Sequence, residues 1–244
     1  MMPHGPGIDL DATHAHDGSM DRTDWLSERR AAVEADYTRD AGTYDDGYDP
    51  VTPVHRRFVE RLIATIPEEG SILDAPCGTG PYFGLILSAG RRVVGADQSA
   101  GMLERAKEKH PDVPLEHVGL QELSFDDRFD AAMCVDAMEH VPPEEWPLVL
   151  GNLRRAIRRD GHLYLTVEQV DRSRLERAFD EASAAGLPVV FGDSVDPATG
   201  GYHHYPTEEQ VGRWLDGAQL VVIDEADEDL DDYGYHHLLC RLEG

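Results

Sequence analysis

The chain has 244 residues, 41% of them hydrophobic, and a formal net charge of −26. That length suits one well-cored domain with a small cap or insertion. The charge argues against gripping nucleic-acid phosphates, which takes a basic face, and against an anionic membrane surface. The acidity is read as a solvated surface, with attraction of a cationic substrate as the sharper alternative. No apolar run approaches the roughly 20 residues of a membrane span. Residues 1–21 have neither a basic start nor an apolar stretch, so no signal peptide is expected. Cys77, Cys134 and Cys240 are odd in number and form no CxxC, which favours a reducing, cytoplasmic setting.

Residues 1–22 are rich in Gly, His and Asp without periodicity and are expected to form a disordered tail. The spacing of Leu26, Arg30, Val33 and Tyr37 predicts a helix over 24–37, followed by a tyrosine-bearing, turn-rich loop over 41–50. Thr52 or Pro53 starts a second helix with Phe58, Val59, Leu62, Ile63 and Ile66 on one face. Residues 23–68 therefore stand where a helical lid over a ligand is expected.

Residues 71–100 (SILDAPCGTGPYFGLILSAGRRVVGADQSA) read as strand, glycine turn, helix and strand. Asp97 ends the second strand, 17 residues past Gly80. Glycines at the first turn and a carboxylate ending strand two suit a ribose-bearing ligand. A helix over 102–109, a strand over 113–118, a strand over 128–135, a helix over 142–157 and a strand over 162–167 continue the alternation. Such alternation predicts a parallel sheet with helices on both faces. A helix over 171–185 and an irregular stretch over 186–206 form an insertion, 171–206, placed to roof an acceptor site. Thr207 caps a last helix with Gln210 in the capping-box position, and strands over 219–225 and 235–242 predict an antiparallel hairpin. No second domain of independent size is visible, so 23–244 reads as one domain.

Two ligands compete for the glycine loop. Gly78, Gly80 and Gly84 make a GxGxxxG that some nicotinamide enzymes also have, which keeps an NAD(P)-dependent oxidoreductase open. Pro81, Tyr82 and Phe83 crowd the place where a pyrophosphate needs the backbone, and Asp74 is unwelcoming to phosphate. S-adenosylmethionine suits the same residues better, since its ammonium wants a carboxylate and its ribose wants Asp97.

The strings LDAPCGTG, VVGADQS and FDAAMCVDAMEHV, in that order within residues 71–167, resemble the class I S-adenosylmethionine-dependent methyltransferases. The resemblance implies a Rossmann-like, doubly wound, seven-stranded sheet, mostly parallel with an antiparallel C-terminal hairpin. It also implies that Asp74, Gly78 and Gly80 hold the methionine end, with Pro76 in the same loop, and that Asp97 holds the ribose. Gln98 and Met102 would flank the adenine, Leu120 and Gln121 its edge, and Cys134 and Val135 would end strand four facing the sulfonium. Tyr37 and Tyr48, with Tyr44 between them, lie where relatives close over the cofactor. Many relatives carry an acidic residue where this chain has Gly119; Glu122 or a backbone carbonyl is the substitute.

Asp136, Glu139 and His140 follow strand four at the carboxyl end of the sheet. His140 is the candidate general base, because its ordinary pKa is near neutrality. Asp136, Glu139, His140 and His203 also resemble a magnesium set of some O-methyltransferases, with Asp136 where that set has glutamate; no metal is the main expectation. Glu168, Tyr202, His203 and His204 are the candidate acceptor-binding residues. The expected activity is methyl transfer to nitrogen or oxygen of a small molecule, with a cofactor-binding protein lacking turnover as a further alternative.

Overall fold

Side chains that cap helices set the chain's first turns. In the computed structural model, which describes residues 21–46 and 51–243, Asp21 accepts a hydrogen bond from the Thr23 amide and starts α1 (Arg22–Asp40). Arg22 is thus the first helical residue rather than the end of a tail, and residues 1–20 lie outside the described residues. Thr52 caps α2 (Pro53–Ala64), with proline in the first turn where its missing N–H costs nothing. Ser99 caps α4 (Ala100–Lys109), and Thr207 and Gln210 close a full capping box on α7 (Glu208–Gly217).

The sheet has seven strands in the order β3-β2-β1-β4-β5-β9-β8. These are β1 (Ser71–Asp74), β2 (Arg92–Asp97), β3 (Leu115–His117), β4 (Phe129–Cys134), β5 (Ile157–Gln169), β8 (Leu220–Asp229) and β9 (Gly234–Leu242). Strands β1 to β5 run parallel, and β9 joins β5 and β8 antiparallel. The doubly wound expectation with a C-terminal hairpin is met. The chain steps outward from β1 to β3 and then returns to β4, so the strand order reverses between β1 and β4. In an open α/β sheet a ligand crevice opens beyond the carboxyl ends of the strands at such a reversal.

Strand alternation sorts the core into two layers. Leu73, Ala132, Cys134, Leu163 and Leu165 face α5 (Trp146–Ala156) and α7 through Trp146, Leu150, Leu153 and Leu215. Ile72, Ala131, Met133 and Tyr164 face α2 and α3 (Phe83–Ser88) through Phe58, Leu62, Phe83 and Ile86. Gly95 in β2 permits this closeness: a Cβ there would stand 2.6 Å from Phe83 Cζ and 2.8 Å from Cys77 Sγ.

Two element boundaries differ from the sequence reading. Residues 142–145 precede α5 as a turn, and β5 begins at Ile157 directly after that helix. The stretch over 186–206 is not wholly irregular: β6 (Asp193–Val195) and β7 (Tyr202–His204) form a two-stranded antiparallel ribbon. This ribbon is held by α1, where Trp25 meets Tyr202 edge-on at 5.8 Å and Arg22 pairs with the buried Asp193 at 2.8 Å. The exposed α6 (Arg172–Ala184), which buries no residue, precedes the ribbon.

Candidate active site

The crevice predicted by the strand reversal is the principal cleft of the described residues. Its empty space, open mouth included, is about 1020 Å³. Its floor is the β1 loop over 75–82, its sides are the ends of β2 and β4, and α1 covers it with Arg30, Val33 and Tyr37.

The floor turns sharply because Gly78 and Gly80 have φ of +50° and +74°, a backbone region glycine enters cheaply. Asp97, at the tip of β2, holds this loop in place. One carboxylate oxygen accepts from the Gly78 amide and the other from the Ser99 amide, each at 2.8 Å. Each oxygen keeps a lone pair for a ligand hydroxyl. Burial raises the pKa of Asp97, and the amides of Ser99 and Gly78 work against that rise.

Asp74 lies behind the cleft wall rather than on it. It is 1% exposed, and neither carboxylate oxygen has a hydrogen-bond partner. Burial, reinforced by the charge of Asp97, pushes its pKa well above the carboxylate range. A buried carboxylate without compensation is costly, and a cation bound nearby offsets that cost. This orphaned pair of oxygens, the ribose-ready Asp97, and the apolar Met102, Val118 and Leu120 along the cleft fit an S-adenosyl ligand.

Pro76, Gly78, Asp97, Gln98, Met102, Leu120, Gln121, Tyr37 and Tyr44 all line the cleft. Tyr48 lies outside the described residues. Cys134 does not face the cleft: strand alternation turns it, 0% exposed, into the α5 core, and Val135 takes the lining place. At Gly119 the nearest neighbour is the movable end of the Glu122 side chain. A Cβ there would stand 2.7 Å from Glu122 Oε2, with Gln98 Oε1 at 3.6 Å and Gln121 Oε1 at 3.7 Å. The Glu122 carboxylate folds back into the vacated space.

His140 is held at both ring nitrogens. Nδ1 is 2.9 Å from the Tyr202 carbonyl, so it must be the donor, and Nε2 accepts from the Tyr37 hydroxyl at 2.9 Å. Burial lowers the pKa of His140 despite the Tyr202 bond, leaving a neutral ring with its lone pair on Nε2 at the cleft. Glu139 lies beside it, 5% exposed, with Oε2 unpaired. Burial, then Glu168 and Asp136, push the Glu139 pKa well up; Glu168 rises to about 7 through burial and Asp136. Asp136 accepts from His55 Nε2 at 3.1 Å.

The ribbon separates the other predicted acceptor residues. His203 turns toward His140, with ring centroids 4.7 Å apart. Tyr202 and His204 point to the opposite side, as alternation requires, and both bond Asp193 Oδ1, at 2.6 and 2.8 Å. Their side chains serve the ribbon, and only the Tyr202 carbonyl reaches the site. The magnesium set of Asp136, Glu139, His140 and His203 does not converge. Among the described residues, the group of three whose ligand atoms approach within 4.8 Å of one another is His55, Glu228 and His237.

Two clamps escaped the sequence reading. Arg30 bonds Glu145 at 2.6 Å, and Glu145 accepts from Gln121 at 2.8 Å, tying α1 to the adenine side. Asp45 accepts from Thr79 at 2.7 Å and pairs with Lys109 at 2.9 Å, tying the loop after α1 to the glycine turn. Each joins segments far apart in the chain, so no local pattern announces it; Lys109 being one of only two lysines was the faint signal.

Residues 72–161 match the family model described as a methyltransferase domain. A malonyl-(acyl-carrier protein) O-methyltransferase of Pectobacterium atrosepticum is 28% identical over 190 residues, covering 74% of this chain and 72% of the relative. A dTDP-3-amino-3,6-dideoxy-alpha-D-glucopyranose N,N-dimethyltransferase of Streptomyces fradiae is 31% identical over 114 residues, 45% of each chain. Among solved structures, a Burkholderia thailandensis 1,6-didemethyltoxoflavin-N1-methyltransferase superposes with a TM-score of 0.68 at 17% identity, covering 90% of this chain and 91% of that one. At that identity the likeness speaks to the fold alone. These matches favour a methyl donor over a nicotinamide cofactor in the cleft.

Proposed function

We propose, from the premise that this chain belongs to the class I S-adenosylmethionine-dependent methyltransferases, that it methylates the amine nitrogen of a small molecule. The cofactor supplies a methyl group on a sulfonium, open to in-line displacement, and the chain's residues supply position and proton handling. Residues 23–244 act as one domain, with 23–68 as lid and 171–206 as the roof of the acceptor side.

The observation that carries the amine reading is the acidic, aromatic character of the space beside His140. Besides burial, the charges of Glu168 and Asp136 raise the pKa of Glu139 and that of Asp136 raises Glu168, and Glu139 Oε2 is buried without a partner. Tyr37, Tyr44, Tyr205 and Tyr235 each feel the Glu139 charge. Carboxylates ringed by aromatic faces recognise an ammonium, and an alcohol gains nothing from them. A cationic amine entering the site repays the burial of these carboxylates and displaces their protons. The neutral His140 then accepts the proton that the nitrogen must lose.

The test is a methyl-transfer assay against matched amines and alcohols, with Glu139→Gln alongside. Amines should turn over, and Glu139→Gln should raise their KM about 10-fold or more, as expected for one lost charge pair. The cofactor Kd should stay unchanged. An alcohol-only product, or an unaltered amine KM in Glu139→Gln, sinks the amine reading and leaves the family assignment standing.

On the cofactor side, Glu122 replaces the acid absent at position 119 and accepts from the adenine amino group. Glu122→Ala should weaken S-adenosylhomocysteine binding about 3- to 10-fold in calorimetry, the scale of one partly exposed hydrogen bond. An unchanged Kd would hand that contact to backbone carbonyls.

A further inference from the structure

Three potential metal ligands meet behind the acceptor wall, where the start of α2 faces the β8–β9 hairpin. The ligand atoms of His55, Glu228 and His237 all lie within 4.8 Å of one another. His237 Nε2 is 3.2 Å from Glu228 Oε2, and His55 Nδ1 is 3.8 Å from the same oxygen. A tetrahedral ion with bonds of ~2.0–2.2 Å holds its ligands about 3.3–3.6 Å apart. The two separations bracket that edge length. The Thr52 hydroxyl holds two of these atoms in place, 2.8 Å from His55 Nδ1 and donating to Glu228 Oε2 at 2.9 Å.

The outer nitrogens give a second, independent sign. A histidine that binds metal through one ring nitrogen normally donates its other N–H to an oxygen, which fixes the ring. Here His55 Nε2 is 3.1 Å from Asp136 Oδ1, and His237 Nδ1 is 2.9 Å from the Tyr164 hydroxyl. Both rings therefore present their remaining nitrogen toward Glu228. They are buried, at 1% and 0% exposure, with ring centroids 4.8 Å apart.

We infer that His55, Glu228 and His237 bind one divalent transition-metal ion, with a water at the fourth position. Two imidazoles and one carboxylate suit Zn²⁺; magnesium and calcium take mostly oxygen. The ion ties α2 to the terminal hairpin. Through His55 it also sharpens the N–H that Asp136 accepts, which makes His55 a positioning residue for the acceptor side. This site is independent of which acceptor the enzyme uses.

The test uses the full chain stripped with a chelator and dialysed, then titrated separately with Co²⁺ and Zn²⁺. The wild type should take up one equivalent of Co²⁺ with visible absorption bands of four- or five-coordinate geometry, displaced by Zn²⁺. At a free Zn²⁺ concentration 100 times Kd, Tm should rise by roughly 5–10 °C. His237→Ala and Glu228→Gln should lose both signals; Glu228→Gln keeps the size of the side chain and carries the test if His237→Ala does not fold. No bands and no Tm shift in the wild type overturn the inference. So does an unchanged response in Glu228→Gln, which would place the ion elsewhere, for example on His4, His14 and His16 of the N-terminal segment.

Discussion

Asp97→Ala should abolish cofactor binding at any practical concentration, raising the Kd of S-adenosylhomocysteine by at least about 100-fold in calorimetry. Two losses add here. The carboxylate can give the ribose hydroxyls two charge-assisted hydrogen bonds, each contributing ~1.5–3 kcal/mol. The same carboxylate anchors the Gly78 and Ser99 amides at 2.8 Å, so its removal also slackens the turn that forms the floor. Asp97→Asn separates the two: it keeps an acceptor oxygen for one amide and should retain more stability than binding. A Kd within about threefold of wild type in Asp97→Ala would move the ribose elsewhere.

The affinity should also depend on pH, with a sign set by burial. Asp74 and Asp97 both have raised pKa values, so folding without ligand makes each harder to ionise than in the unfolded chain. For each, the stability contribution is fully present below the ordinary carboxylate pKa and is lost as pH rises toward the raised one. A bound ammonium reverses that effect. Affinity should therefore fall as the pH is lowered through the range in which these two carboxylates protonate.

What the sequence discloses and what it hides divide along the range of the interactions involved. The caps at Thr52 and Thr207, the glycine turn and the alternation of Ile72 with Leu73 are local, and local patterns reveal them. The same alternation, applied one residue further, chooses between the neighbours Cys134 and Val135 and sends only Val135 to the cleft. The β6–β7 ribbon is different: three-residue strands carry too little pattern, and their stability comes from Trp25 and Arg22, more than 160 positions away in sequence. The cofactor half of the site is accordingly the legible half. The acceptor half depends on where His203 meets His140 and where Tyr205 and Tyr235 approach Glu139, which only the packed structure supplies.

His140→Ala should lower kcat by about 100-fold or more, the usual contribution of a positioned general base. The case rests on the ring's two fixed bonds. The Tyr202 carbonyl takes the Nδ1 proton, which leaves Nε2 as the basic atom, and Tyr37 points its hydroxyl at that atom. Burial keeps the Tyr37 hydroxyl far from ionising and lowers the pKa of His140 below the usual 6.5. The wild-type kcat should therefore hold steady from neutrality down past pH 6.5 and fall only when His140 protonates. The kcat/KM profile carries a second acid limb near pH 7, because Glu168 must ionise to hold the incoming amine. Since kcat reports the enzyme with substrate bound, its limb belongs to His140 and should vanish in His140→Ala. Tyr37→Phe offers the complementary reading: it frees Nε2 without removing it, so kcat should change far less than in His140→Ala. If His140→Ala keeps near-normal kcat with its acid limb intact, the ring is a strut between α1 and the ribbon, and an acidic neighbour takes the proton.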